Sequence, residues 1–156
     1  MRATVVCASN RAAAGVYEDT TGPVIVEALT NLGFEVSGPV VVPDGDPVGE
    51  AIRTAVDDGS VVVVTSGGTG LTPTDRTPEV TRPLLDFEVP GIAEAIREHG
   101  VRNGVPTAAL SRGLAGVRGP ALVVNLPGSR GGVEDGLAVL TPLLVHAVEQ
   151  IAGSDH

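Results

Sequence analysis

Val61-Val62-Val63-Val64-Thr65-Ser66-Gly67-Gly68-Thr69-Gly70 decides the reading of this chain. Four valines in a row read as a strand covered on both faces, because a half-exposed strand would alternate apolar with polar residues. Three glycines and three hydroxyl residues follow at once. A loop of that composition leaves its backbone N–H groups unshielded and can wrap an anion, with the hydroxyls adding donors. The structural alternative is a glycine-rich turn that holds nothing. In an open α/β sheet, ligands bind beyond the carboxyl ends of the strands, which is where this loop would lie.

The flanking sequence supports such a sheet. Upstream, Thr4–Ala8 is another apolar, β-branched run. Ile25, Ala28, Leu29 and Leu32 then fall at helical spacing, with Pro23 suited to the first turn and Gly33 to the stop. Glu35–Val42 reads as a strand. Asp46 is placed to cap a helix beginning at Pro47 and ending at Gly59, with Val48, Ala51, Ile52, Ala55 and Val56 on one face. Downstream, Ile92, Ala95, Ile96 and His99 share a helical face that stops at Gly100, which makes His99 a core histidine. Thr107–Leu110 and Ala121–Leu126 read as strands. The segment from Val133 is helical, and Thr141-Pro142 is expected to split it in two. Strands alternating with helices over short connections predict an α/β fold: a single compact domain over 1–156, with a doubly wound, mostly parallel sheet and helices on both faces.

Composition narrows the function. The 156 residues carry a net charge of -9, and all ten basic residues are arginine. With no lysine, a Walker-type phosphate loop and Schiff-base chemistry are excluded. The acidic balance and three aromatic residues (Tyr17, Phe34, Phe87) argue against nucleic acid, which wants a basic face and stacking platforms. The lone Cys7 can form no internal disulfide, and its place in a strand suits packing. The apolar run at the N-terminus is too short for a signal peptide or a membrane span, so a cytoplasmic, membrane-free protein is expected. Three scattered histidines and one cysteine have no zinc-ligand spacing, and no Gly-x-Ser-x-Gly elbow occurs.

The polar residues at the strand ends are the candidates for chemistry. Asp75 follows the glycine loop; a carboxylate there would repel phosphate unless a divalent cation bridged them, or else it caps a helix starting at Thr77-Pro78. Asp44, in Pro43-Asp44-Gly45-Asp46, is either a turn residue or a second metal ligand. Asn125-Leu126-Pro127-Gly128-Ser129 ends a strand and precedes a helix, where Ser129 is either a ligand contact or an N-cap. Arg112, after Ser111, could grip phosphate with its fork or stand on the surface.

Taken together, these stretches resemble the molybdopterin adenylyltransferase family (the MogA/MoaB group, which includes the G domain of gephyrin-like proteins). The resemblance rests on Thr65–Gly70 with Asp75 and Thr77-Pro78-Glu79, and extends to Ser9-Asn10-Arg11 with Gly15–Asp19. It continues through Val42-Pro43-Asp44, Val89-Pro90-Gly91, Leu110-Ser111-Arg112 and Asn125–Ser129, in order along nearly the whole chain. It implies transfer of an adenylyl group from Mg·ATP to the terminal phosphate of molybdopterin, with release of pyrophosphate. By the same resemblance, Asp44 and Asp75 would be the catalytic carboxylates and Mg²⁺ ligands. Thr65, Ser66, Gly67, Gly68, Thr69 and Gly70 would cradle phosphate, Ser111 and Arg112 would hold the pterin, and Pro127, Gly128 and Ser129 would close the pocket. A homotrimer, or a hexamer, is implied as well. The chain departs from the family pattern at Asn10, where many members have Asp; at Thr74, where many have a basic residue (Arg76 follows instead); and at Arg130, where Pro is common. Two alternatives stand beside the enzyme: a non-catalytic molybdopterin-binding carrier or scaffold, and a general nucleotide-binding domain.

Overall fold

The computed structural model describes residues 1–154. Its strands are β1 (Arg2–Ala8), β2 (Glu35–Val42), β3 (Val62–Ser66), β4 (Phe87–Glu88), β5 (Ala115–Arg118) and β6 (Ala121–Leu126). The helices are α1 (Asn10–Ala13), α2 (Gly22–Asn31), α3 (Asp46–Asp57), α4 (Thr77–Thr81), α5 (Pro90–Arg102) and α6 (Arg130–Ile151), with short 3-10 turns at Arg82–Leu84 and Pro106–Leu110. The six strands form one sheet in the order β2-β1-β3-β6-β5-β4. From β2 to β6 every pairing is parallel; β5 and β4 add on antiparallel.

The valine run behaves as its composition requires. Val62 and Val64 face a core shared with α2, α5 and α6, while Val63 faces a second core under α3, and all three are fully buried. The parallel half of the sheet is therefore covered on both faces, as the unbroken apolar runs predict.

Several boundaries differ from the sequence reading. Asp46 lies in the first turn of α3, where its charge meets the positive end of the helix dipole, and Gly45 (φ +93°) is the cap. α5 runs past Gly100 to Arg102; glycine at 100 serves packing, not the stop, since a Cβ there would lie 2.6 Å from the Ala108 Cβ. His99 is half-exposed beside Asp135, at 3.8 Å, instead of in the core. Thr107–Leu110 forms a 3-10 turn started by Pro106, and the antiparallel strand comes later, at Ala115–Arg118. α6 continues unbroken through Pro142. Val133, Leu137, Leu140, Leu144 and Val148 are buried on one side of it, and that continuous packing outweighs the lost N–H. This helix is long and apolar enough to cross a membrane, but it spends its apolar face on the core.

Candidate active site

Four strands deliver the chain to one edge of the sheet. β1 ends at Ala8, and Ser9 caps α1 by accepting the Ala12 N–H at 3.2 Å. β2 leads into Pro43-Asp44-Gly45, β3 into the glycine loop, and β6 into Pro127-Gly128-Ser129, where Ser129 caps α6 through the Gly132 N–H at 3.1 Å. The glycines permit these segments to touch. Gly67 (φ +94°) lies where a Cβ would strike the Ala8 carbonyl oxygen, and its N–H donates to Leu126 O at 3.0 Å. A Cβ on Gly128 would come within 3.2 Å of the Gly67 Cα.

The loop turns its carbonyls into the protein. Gly68 O accepts the Thr77 N–H at 3.0 Å, Thr69 O accepts the Arg112 N–H at 2.8 Å, and Gly70 O accepts Arg112 Nε at 2.9 Å. The N–H groups of Gly68, Thr69 and Gly70 donate to nothing among the described residues. Fixed carbonyls on one side and free N–H groups on the other make an anion-binding concavity. Arg112 supplies the bracing: Nη2 donates to Asp75 O at 3.0 Å and Nη1 to Glu79 Oε2 at 2.6 Å. The guanidinium holds the Glu79 carboxyl below its usual range, and the carboxylate in turn raises the pKa of Arg112. The fork is thus committed to the loop and to Glu79.

A carboxylate stands at each end of this loop. Asp44 accepts the Gly45 N–H at 2.7 Å and the Arg76 N–H at 3.2 Å through Oδ1, while its own N–H donates to Asn10 Oδ1 at 2.9 Å. It is both a turn residue and a neighbour of Gly68, whose missing Cβ would come within 2.7 Å of Asp44 Oδ2. Asp75 caps no helix; its Oδ2 accepts the Thr72 N–H at 3.1 Å and lies against Gly70. Thr77 Oγ1, also against Gly68, is buried with no hydrogen-bond partner. No cluster of three or more His, Cys, Asp or Glu gathers among the described residues.

The glycine loop opens on a cleft of about 550 Å³. Gly68, Thr69, Gly70, Asp75, Ser111, Pro127, Gly128 and Ser129 line it. Thr65, Ser66 and Gly67 lie beneath: Thr65 Oγ1 accepts Asn125 Nδ2 at 2.9 Å, and Ser66 Oγ donates to Pro127 O at 3.1 Å. Asp44 and Arg112 border the loop without lining the cleft. The other wall comes from residues the sequence reading passed over, among them Ile96 and Arg97 of α5, Val105 to Leu110, and Asp135 of α6. Arg97 donates inward, to Gly113 O at 2.9 Å. Cys7 is buried, and burial together with the Asp19 charge pushes its thiol up to about 12, so it stays protonated and packs.

A parallel-sheet edge bearing a glycine loop of free N–H groups, two flanking carboxylates and a ligand-sized cleft makes an α/β architecture able to take an anionic small molecule. Residues 4–146 match the family described as a probable molybdopterin binding domain, and the chain belongs to that family. It is 35% identical over 154 residues to the molybdopterin adenylyltransferase of Helicobacter pylori strain J99, covering 96% of this chain and 87% of that protein. It is 41% identical over 155 residues to a molybdenum cofactor biosynthesis bifunctional protein of Synechococcus elongatus, covering 99% of this chain but only 48% of that relative, about half its length. Among solved structures, the molybdopterin biosynthesis Mog protein from Mycobacterium ulcerans superposes with a TM-score of 0.92 at 51% identity, over 98% of this chain and 97% of the other.

Proposed function

We propose that this chain works in molybdenum cofactor biosynthesis as a molybdopterin adenylyltransferase, transferring AMP from ATP to the terminal phosphate of molybdopterin and releasing pyrophosphate. The observation that carries this reading is the polarity of the glycine loop, with three carbonyls bonded inward and the N–H groups of Gly68, Thr69 and Gly70 left free beside the cleft. Nucleotidyl transfer asks a protein for alignment and charge neutralisation more than for covalent chemistry. The free N–H groups and the N-terminus of α6 would hold phosphate oxygens, Arg112 would keep the loop in shape, and the cleft would exclude water from the reacting ends.

The donor set around the loop suits Mg²⁺, a hard cation that takes one or two carboxylates and leaves its other positions to water and substrate phosphates. The unpartnered Thr77 hydroxyl beside Asp44 at Gly68 supports that fit, and Asp44, Asp75 and Thr77 would hold the ion. When bound, it supplies charge neutralisation on the triphosphate. We propose as well that the protein is cytoplasmic and assembles as a homotrimer.

Pyrophosphate release from molybdopterin and Mg·ATP, with Asp75→Asn as control, tests the activity. Release by the wild type and its loss in the variant is the expected result. Tight molybdopterin binding with no release would make the chain a binding paralogue.

A further inference from the structure

A chain of buried hydroxyls runs beneath the cleft and joins the start of α2 to both loops that line it. Thr21 and Ser66 are 7% and 2% exposed. Their hydroxyl oxygens lie 3.0 Å apart, and Ser66 Oγ donates onward to Pro127 O at 3.1 Å. A hydroxyl has one proton and a carbonyl can only accept, so the Ser66 proton is spent on Pro127. Thr21 then supplies the proton of the 3.0 Å contact, in preference to Asp19 Oδ1, which stands 3.4 Å from it on the other side. The Thr21 side chain is free for this. It stands at the N-cap of α2 yet makes no capping bond; Asp19 Oδ1 accepts the Thr21 and Gly22 N–H groups instead, at 3.2 and 3.1 Å.

The relay ends on a peptide whose polarity matters. In a trans peptide the C=O and N–H point in opposite directions. A Pro127 carbonyl turned down onto Ser66 therefore turns the Gly128 N–H toward the cleft, which both residues line. That N–H donates to nothing among the described residues. Local preference favours the opposite arrangement, since Pro-Gly is the pair that suits a turn with positive φ at the glycine. Gly128 stays out of that region. We propose that Thr21, through Ser66, sets the orientation of the Pro127–Gly128 peptide and makes the Gly128 N–H a fourth amide donor to the substrate's phosphate oxygens. This rests on the reading of the cleft as a phosphate-transfer site. Thr21 is a positioning residue, buried behind Ser66 and out of reach of the substrate. With the relay cut, glycine at 128 lets the peptide flip, and an acceptor replaces a donor facing a polyanion.

The test is a titration of the full chain with inorganic pyrophosphate, followed amide by amide in proton–nitrogen correlation spectra. In the wild type the Gly128 resonance is expected to shift together with those of Gly68, Thr69 and Gly70. Thr21→Val keeps the side-chain shape and removes the donor. It should lose the Gly128 shift, keep the other three, and weaken pyrophosphate about 10- to 100-fold, the worth of a hydrogen bond to a charged group. Ser66→Ala breaks the relay at its other link and should behave in the same way, while Thr21→Ser should restore both readouts. A Gly128 amide that pyrophosphate leaves unmoved in the wild type, or moves equally in wild type and Thr21→Val, overturns the proposal. So does a Thr21→Ser variant that behaves as Thr21→Val does, since packing and not the hydroxyl would then be at work. Pyrophosphate release from molybdopterin and Mg·ATP is measured separately: release by the wild type with an unmoved Gly128 removes the relay alone, and an absence of release removes the transferase reading.

Discussion

At Gly68 the backbone takes φ +69°, and the Asp44 carboxylate and the Thr77 hydroxyl crowd the space a side chain would need. Gly68→Ala would strain the backbone and push a methyl group into both oxygens. The variant should fold, since the loop lies outside the core, but lose at least about 100-fold in ATP affinity, the cost of a displaced set of amide donors. Isothermal titration, with circular dichroism as the folding control, checks this. Glu79 offers a test by pH. Its folded pKa lies below its ordinary value because Arg112 donates to it, so its stabilisation is present above the ordinary carboxylate range and is lost as pH falls through the lowered value. Denaturant unfolding of Glu79→Gln should therefore show a deficit near neutrality that disappears in acid. It should not exceed about 1 kcal/mol, because the pair is well exposed. At this scale the sequence placed the glycine loop, Asp44 and Asp75 at the strand ends, since turn chemistry is local. It could not announce Thr77 or Thr21, because an unpartnered hydroxyl and a hydroxyl relay exist only once distant segments have met.

Among the elements, α6 holds the clearest experiment. Pro142 sits on its exposed side, where it can donate no hydrogen bond to the carbonyl of Ala138. Pro142→Ala should raise the unfolding free energy by about 1–3 kcal/mol, since proline costs about 3 kcal/mol in a helix interior and the existing geometry already absorbs part of that. A shifted denaturant midpoint with an unchanged slope would record it. The expected break at Thr141-Pro142 failed because local propensity was weighed without the five buried residues that span it. Glu35–Val42 and Ala121–Leu126 were legible to the residue, because long apolar or alternating runs outvote their ends. Two-residue β4 and glycine-containing β5 left no such pattern; their pairing depends on β6. Thr107–Leu110 has strand-like residues, but Pro106 fixes φ where the chain must bend back over α5.

Over the whole molecule, the proposed trimer is open to a direct test of mass. Sedimentation at micromolar concentration should give three times the 15.7 kDa chain mass, and a monomer alone would refute it. The α/β class and the covered parallel sheet were readable from the alternation of runs; the antiparallel half was not. Arg112 and Arg97, the arginines at the loop and in the cleft wall, both turn their donors inward. Neither fork is therefore free to offset the net charge of -9 against an incoming polyanion. Capture is then repulsive at long range and attractive only on contact with amide dipoles, which release no counterions. Added monovalent salt should speed the association of ATP in stopped-flow, the reverse of what a lysine- or arginine-lined phosphate site does, and the protein's traffic with nucleotides would be governed by the ionic strength around it.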